Sequence, residues 1–269
     1  MVNPEIEGQE LNPLWHAVLT GQDSRLRKGR HMLRLMSPTA HERCRLCHAG
    51  FDGFAAPLMR VMGRKPWLRN PHFCEKCEEM MQKERGGAEI DVAMLYADVR
   101  GSTELAARLG PTAFAGLMQR FFRVATKAFI ASDAIVDKMV GDEMIALYVP
   151  GLTGDDFRER AAAAGLELLR ATGHADADGP WLSIGVGVHS GETFMGSIGV
   201  EGGNYQFAAL GDPMNFAARL VGAAKAGEMV MSETVWKTVS SEVTAERRSV
   251  ELKGYAEPQQ VYVARLQAS

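Results

Sequence analysis

The sequence predicts an α/β domain of the α+β kind, preceded by a small helical module built around four cysteines. Three observations carry that prediction. From about residue 90 onward, short β-rich apolar runs alternate with longer segments of helical periodicity. All four cysteines lie in the N-terminal part, as Cys44-Arg-Leu-Cys47 and Cys74-Glu-Lys-Cys77. The chain has 269 residues with 46% hydrophobic content, enough for one sizeable core plus a smaller module.

Charge and compartment narrow the function classes. The net charge of −3 argues against a dedicated nucleic-acid protein. Residues 1–85 nevertheless carry 14 Lys or Arg against 10 Asp or Glu, so the excess of acid belongs to the rest of the chain. No apolar run approaches the roughly 20 residues of a membrane helix, and the start, MVNPEIEGQE, is acidic and unlike a signal peptide. The expectation is a cytoplasmic protein with no membrane partner. Cysteines in that compartment read as metal ligands rather than disulfides.

Taken in order, residues 1–40 form a helical segment of two short helices. Pro13 suits the start of the first, whose Leu14, Val18 and Leu19 share a face. Asp23 or Ser24 caps the second, which carries Arg25, Arg27, Lys28, Arg30 and Arg34 around Leu26, Met32, Leu33 and Leu35. Such a basic helix can meet nucleic acid or anionic lipid, but most such runs are solvated faces, and that is the reading taken.

Residues 41–86 form the metal-binding module. Two C-x2-C knuckles bring four thiolates, Cys44, Cys47, Cys74 and Cys77, within reach of one tetrahedral ion. Zinc leads, with rubredoxin-like iron or an iron–sulfur cluster as the alternative. Cys47-His48 also completes the haem-attachment string C-x-x-C-H, but a second cysteine pair argues for a metal knuckle instead. The intervening Arg60, Arg64, Lys65 and Arg69 are basic without any base-reading pattern. A short helix and a turn containing Arg85-Gly-Gly then end the module, and residues 87–269 are assigned to one larger domain.

That domain is organised around Asp91–Thr103. Val92–Tyr96 reads as a buried strand that ends on Asp98, and a tight turn leads into a helix from about Glu104. The backbone N–H groups of Val99, Gly101, Ser102 and Thr103 can hold phosphate while Asp98 holds a cation, although an Asp at such a junction is also an ordinary cap. Gly110-Pro111 interrupts the helix, and Ala113–Ile130 continues it with an apolar stripe typical of a core. Ala134–Val140 and Glu143–Val149 flank Gly141-Asp142, which predicts a hairpin with Asp142 at its tip and Lys138 on its first strand. A helix follows from Asp156. Trp181–Val188 and Glu192–Ile198 read as a strand pair turning at His189-Ser-Gly191, with His189 structural. In Gln206–Leu220, Asp212 caps a helix opened by Pro213, and Asn215 and Arg219 lie four apart on one face. An amide beside a guanidinium suits an anionic, ribose-bearing ligand; a solvated polar pair is the plainer alternative. Met229–Met231, a helix from Ser232, and Arg247–Lys253 leading into Gln260–Ala264 complete the chain.

Five stretches in this order, DVAMLYADVRGST, VDKMVGDEMIALY, IGVGVHSGETFMGSIG, ALGDPMNFAARL and VELKGYAEPQQVYV, resemble the blocks of the class III nucleotidyl cyclases across roughly residues 88–266. The cysteine-bearing region also looks like one that precedes this domain in some bacterial cyclases. The resemblance implies a ferredoxin-like catalytic domain that works as a homodimer on a nucleoside triphosphate, with ATP the expected substrate. It implies that Asp98 and Asp142 bind two Mg²⁺ or Mn²⁺ ions. By the same resemblance Lys138 reads the base, Asn215 orients the ribose, Arg219 neutralises the attacked phosphate and Lys253 meets the terminal phosphates. The aspartates come from one chain and the other four residues from its partner.

One position departs from the family. The acceptor that accompanies the adenine-reading Lys falls on Ala208, which has none, so that bond must come from a carbonyl, water or Gln206, or be absent. Relaxed or pyrimidine specificity therefore stays open beside adenylate cyclase, and a catalytically silent binding module is the third alternative.

Overall fold

The computed structural model describes residues 11–68, 70–199 and 205–266. Arg69 and the acidic N-terminal decapeptide lie outside them, as does the side chain of Gln206. The chain divides into two compact units, one reaching Ile90 and including Thr193–Leu210, the other formed by Asp91–Glu192 and Gly211–Ser269.

The first unit opens with α1 (Pro13–Leu19) and α2 (Ser24–Met36). Asn12 caps α1 by accepting from the Leu14 N–H at 2.9 Å, and Asp23 caps α2 by accepting from Leu26 at 2.7 Å. Next come α3 (Ala56–Val61), the short strands β1 (Pro66–Trp67) and β2 (Asn70–Cys74), α4 (Glu75–Lys83), and the start of β3 (Gly86–Val99). Trp15 is buried, donates to the Glu84 carbonyl at 3.0 Å and stands against the Phe207 ring with centroids 5.1 Å apart.

In the second unit β3 leads to α5 (Ser102–Leu109), α6 (Pro111–Ala131), β4 (Ile135–Val140), β5 (Glu143–Tyr148), α7 (Pro150–Thr153), α8 (Phe157–Ala171) and β6 (Ile184–Gly199). After β7 (Tyr205–Leu210) come α9 (Asp212–Ala223), β8 (Glu228–Ser232), α10 (Glu233–Val239), β9 (Glu246–Val250) and β10 (Gln259–Arg265). The mixed sheet runs β4-β5-β3-β6-β8-β10-β9, so β3 to β6 follow the strand order of a ferredoxin-like βαββαβ unit.

Strand alternation explains the layering. Ala93, Leu95, Ala97 and Val99 of β3 join Phe121 and Phe129 of α6 and Leu168 of α8 in one core. The residues between them, ending with Asp98, therefore face the opposite side. On β8, Met229 and Met231 enter that core while Val230 packs with Leu220 of α9 in a second one. Helices thus cover both faces around β8.

One predicted feature is corrected. Trp181–Val188 and Glu192–Ile198 are not a strand pair turning at His189-Ser-Gly191; β6 runs unbroken through all three residues, and Trp181 precedes it. Its glycines serve packing, not a turn. A Cβ on Gly187 would lie 2.4 Å from the Val221 nitrogen of α9, and one on Gly191 would lie 2.9 Å from the Pro213 ring. The cap of α9 also shifts by one residue, with Gly211 at the cap and Asp212 the first helical residue. β7, which the sequence reading did not single out, pairs antiparallel with Phe194–Gly199 of β6.

Candidate active site

Asp98 is the penultimate residue of β3, and Asp142 occupies the β4–β5 turn, where Gly141 takes the left-handed conformation at φ 63°. The β3–β5 register sets Asp98 opposite Glu143, the residue after Asp142, so the hairpin brings the Asp142 carboxyl near enough to act on that of Asp98. Burial pushes the Asp98 carboxyl up, the Arg100 guanidinium pulls it down, and Asp142 pushes it up again. Arg100 is firmly held: it pairs with the Asp98 carboxylate and donates to the carbonyl of Ala224, just past α9, at 3.3 Å.

A third carboxylate went unnoticed in the sequence. Glu143 stands directly opposite Asp98 in the β3–β5 register. Burial, then Asp98 and Asp142, push its carboxyl up to about 7. Only the register reveals this neighbour, because Glu143 reads on its own as the polar start of a strand.

The donor set fits a hard divalent cation. A carboxyl pushed up by burial and by a second carboxylate beside it, as Asp98 is, is relieved by a cation. Among the described residues, only the four thiols form a group of three or more His, Cys, Asp or Glu side chains with all ligand atoms within 4.8 Å. The carboxylate pair therefore leaves the rest of a magnesium shell to phosphate and water. At the head of α5, Gly101 is left-handed at φ 68° and no side chain caps the helix. The N–H groups of its first turn, at Ser102 and Thr103, lack intrahelical partners.

Of the remaining predicted residues, Asn215 and Arg219 stand on α9. Asn215 and Arg219 are exposed and one turn apart. Lys253 lies in the β9–β10 loop, where Glu251 to Pro258 line a cleft of about 550 Å³. Tyr255 of that loop donates to Asp212 and meets the Phe216 ring edge-on at 5.2 Å, while His189 packs on Phe216 at 4.6 Å. Burial holds His189 down to about 4, so it is neutral at pH 7 and its place is in this ring stack. Lys138 stands on β4 with its ammonium 3.9 Å from Asp137, and Ala208 is buried in β7. Among the described residues, no hydrogen bond or ion pair joins the side chains of Asp98 or Asp142 to those of Asn215, Arg219 or Lys253.

The comparisons agree on the family. Residues 87–265 match the model of the adenylate and guanylate cyclase catalytic domain. The chain belongs to the class III nucleotidyl cyclases. An uncharacterized protein of Mycobacterium tuberculosis is 27% identical over 218 residues, covering 78% of this cyclase chain and 39% of that protein. An adenylate cyclase of Anabaena cylindrica is 26% identical over 183 residues, covering 64% of this chain and 36% of that one. The chain thus spans about two fifths of the length of these relatives. Among solved structures, the guanylyl cyclase Cya2 superposes with a TM-score of 0.60 at 23% identity, covering 66% of this chain and 93% of that one. The adenylyl cyclase CyaB of P. aeruginosa superposes at 0.59 and 22% identity, covering 66% and 95%.

In the N-terminal unit the four sulfurs meet as the spacing predicts. Cys44, Cys47, Cys74 and Cys77 are all buried, with the Cys47 and Cys74 sulfurs 3.7 Å apart. That separation matches the edge of a sulfur tetrahedron around one ion at about 2.3 Å. All four sulfurs lie within 4.8 Å of one another, whereas a cluster, with sulfide and several irons between the thiolates, would need a wider cage. Arg64 donates to the Cys47 sulfur at 3.0 Å and the Cys74 N–H to the Cys44 sulfur at 3.3 Å. Such donors to thiolates are typical partners of a metal's ligands. No helix among the described residues is long and apolar enough to cross a membrane.

Proposed function

We propose that the chain is an adenylate cyclase that converts ATP to 3′,5′-cyclic AMP and pyrophosphate in active sites shared by a homodimer. The approach of Asp142 to Asp98 carries this reading, because a lone structural aspartate needs no second carboxylate beside it. Two Mg²⁺ or Mn²⁺ ions held there would supply the charge that acidifies the ribose 3′-hydroxyl and steadies the leaving pyrophosphate. The 3′-oxygen attacks the α-phosphorus in line, and the bond to the β-phosphate oxygen breaks. Asn215 fixes the ribose, Arg219 neutralises the phosphate oxygens as their charge grows, and Lys253 takes the terminal phosphates. Lys138, a donor only, suits the acceptor N1 of adenine. The N–H groups of Val99, Gly101, Ser102 and Thr103 cradle the phosphates. The grouping of carboxylates on one side and of Asn215, Arg219 and the Lys253 loop on α9 supports a site completed by a partner chain.

In the cysteine unit we assign a single structural Zn²⁺. The 3.7 Å sulfur separation and the Arg64 contact support it, since a four-thiolate zinc site carries two negative charges for nearby arginines to offset.

Ala208 supports a second reading, a cyclase of relaxed base specificity, because the side chain there offers no acceptor to the adenine amine. Each nucleoside triphosphate in turn, with Mg²⁺ or Mn²⁺, tests both. A clear preference for ATP sustains the first; equal or greater turnover of CTP or GTP replaces it with the second.

A further inference from the structure

The N-terminal unit carries a feature that neither catalysis nor metal binding uses. Phe54, Leu58, Val61 and Leu68 are 72%, 50%, 86% and 96% exposed, within fifteen residues of one another. Leu58 and Val61 lie three apart on α3 and so share a face. Large apolar side chains left this bare on one short segment mark an interaction surface.

Charge says what kind of partner it is. Residues 11–68 hold ten Lys or Arg against three Asp or Glu, whereas the protein as a whole is at −3. Arg60 and Lys65 are exposed among these apolar residues, Lys65 with its ammonium 3.0 Å from Glu75, while Arg64 is engaged on the Cys47 sulfur. The same unit repeats the pattern on α2, where Met32 and Leu35 are exposed beside Arg25, Arg27, Lys28 and Arg34. Both elements are tied to the cysteine knuckle, α2 by Arg30 donating to the Leu46 carbonyl at 2.7 Å and the α3 segment by Arg64 on Cys47.

We propose that this unit docks on an anionic phospholipid surface through the Phe54–Leu68 segment. The aliphatic side chains enter the headgroup boundary while the neighbouring basic residues meet lipid phosphates. Docking of this kind needs no spanning helix. A second copy meeting the same face would press one strongly positive segment against another. A nucleic acid would match the charge, but of the five exposed large apolar side chains of the segment, Met62 included, only Phe54 carries a ring for a base to stack on. The inference is independent of which base the catalytic unit reads.

The test uses the full chain and vesicles of phosphatidylcholine, alone or mixed with phosphatidylglycerol. The protein should sediment with the mixed vesicles and at least about tenfold less with phosphatidylcholine alone. Leu58→Ser with Val61→Ser should weaken vesicle binding about tenfold or more while nucleotide turnover in solution stays unchanged. Raising salt should release the unaltered protein, a readout that needs no variant. Equal binding to both vesicles, no binding to either, or indifference to the double substitution overturns the proposal. So does self-association, or binding to duplex DNA, that depends on Leu58 and Val61 while vesicles capture nothing.

Discussion

The Tyr255 hydroxyl donates to the Asp212 carboxylate, 3.0 Å from each oxygen, and so fastens the loop of Lys253 to the first turn of α9. Phe216, between Asn215 and Arg219 in sequence, receives the edge of the same tyrosine ring. Lys253 is thereby tied to the helix that presents the two other polar residues. Tyr255→Phe keeps the ring contact and removes the bond. It should raise KM for the nucleotide several-fold, leave kcat nearly unchanged, and cost at most about 1 kcal/mol at this exposed site. Steady-state kinetics and thermal melts measure both, and an unaltered KM would show that the link positions nothing.

Asp98→Ala should lower turnover by about a hundredfold or more with the fold intact by circular dichroism. Asn215→Ala should impair the complementary half of the site. If the halves come from different chains, mixing the two inactive proteins restores one working site per heterodimer. Heterodimers that form and stay inactive would defeat the shared-site geometry.

Glu143 gives the protein without divalent metal a signature in pH. Its folded carboxyl is raised to about 7, above the ordinary 4.5, so the folded state holds a proton that the unfolded chain has released. The resulting stabilisation is complete below about 4.5 and is lost as pH rises through about 7. Asp98 is raised too and acts with the same sign. Glu143→Gln should raise the melting temperature near pH 8 and flatten its decline with pH. Parallel curves for the two proteins would exclude this origin.

Removing the metal from the four thiols should loosen the N-terminal unit. Elemental analysis should find one zinc per chain, and Cys44→Ser should lose most of it, because a structural zinc site draws its affinity from four protein ligands. Limited proteolysis should then cut within residues 41–86, which the loaded protein protects. Iron in the purified protein, or protection that survives in the variant, would refute the zinc assignment or its structural role.

Gly187→Ala tests the close approach of β6 and α9. The added methyl would sit 2.4 Å from the Val221 nitrogen, a backbone atom that cannot swing aside. Urea unfolding should show a loss of about 1–3 kcal/mol. A change under about 0.5 kcal/mol would mean that the helix moves away freely.

Much of this molecule was legible in the residues because local chemistry and global position coincide. Gly141-Asp142 demanded a hairpin tip, the structure has one there, and Pro13 and Asp23 marked helix starts as expected, while the interruption read at Gly110-Pro111 falls where α5 ends and α6 begins. The two C-x2-C pairs met because short knuckles carry their geometry with them. What failed did so through tertiary packing. Gly191 looked like a turn, yet it stands within a continuous strand, and it is a glycine because Pro213 lies where a side chain would be. Glu143 escaped notice for a related reason: strand register, not sequence spacing, sets it opposite Asp98.

Arg100 alters what metal loading means for this protein. The Asp98 carboxylate already has a fixed positive partner, which also grips the carbonyl at the tail of α9. If Asp98 holds a divalent ion as proposed, that ion would enter by exchange with a resident charge rather than by filling a void. Its binding would then depend on how far it outcompetes the guanidinium, and the tail of α9 would register the exchange through Arg100.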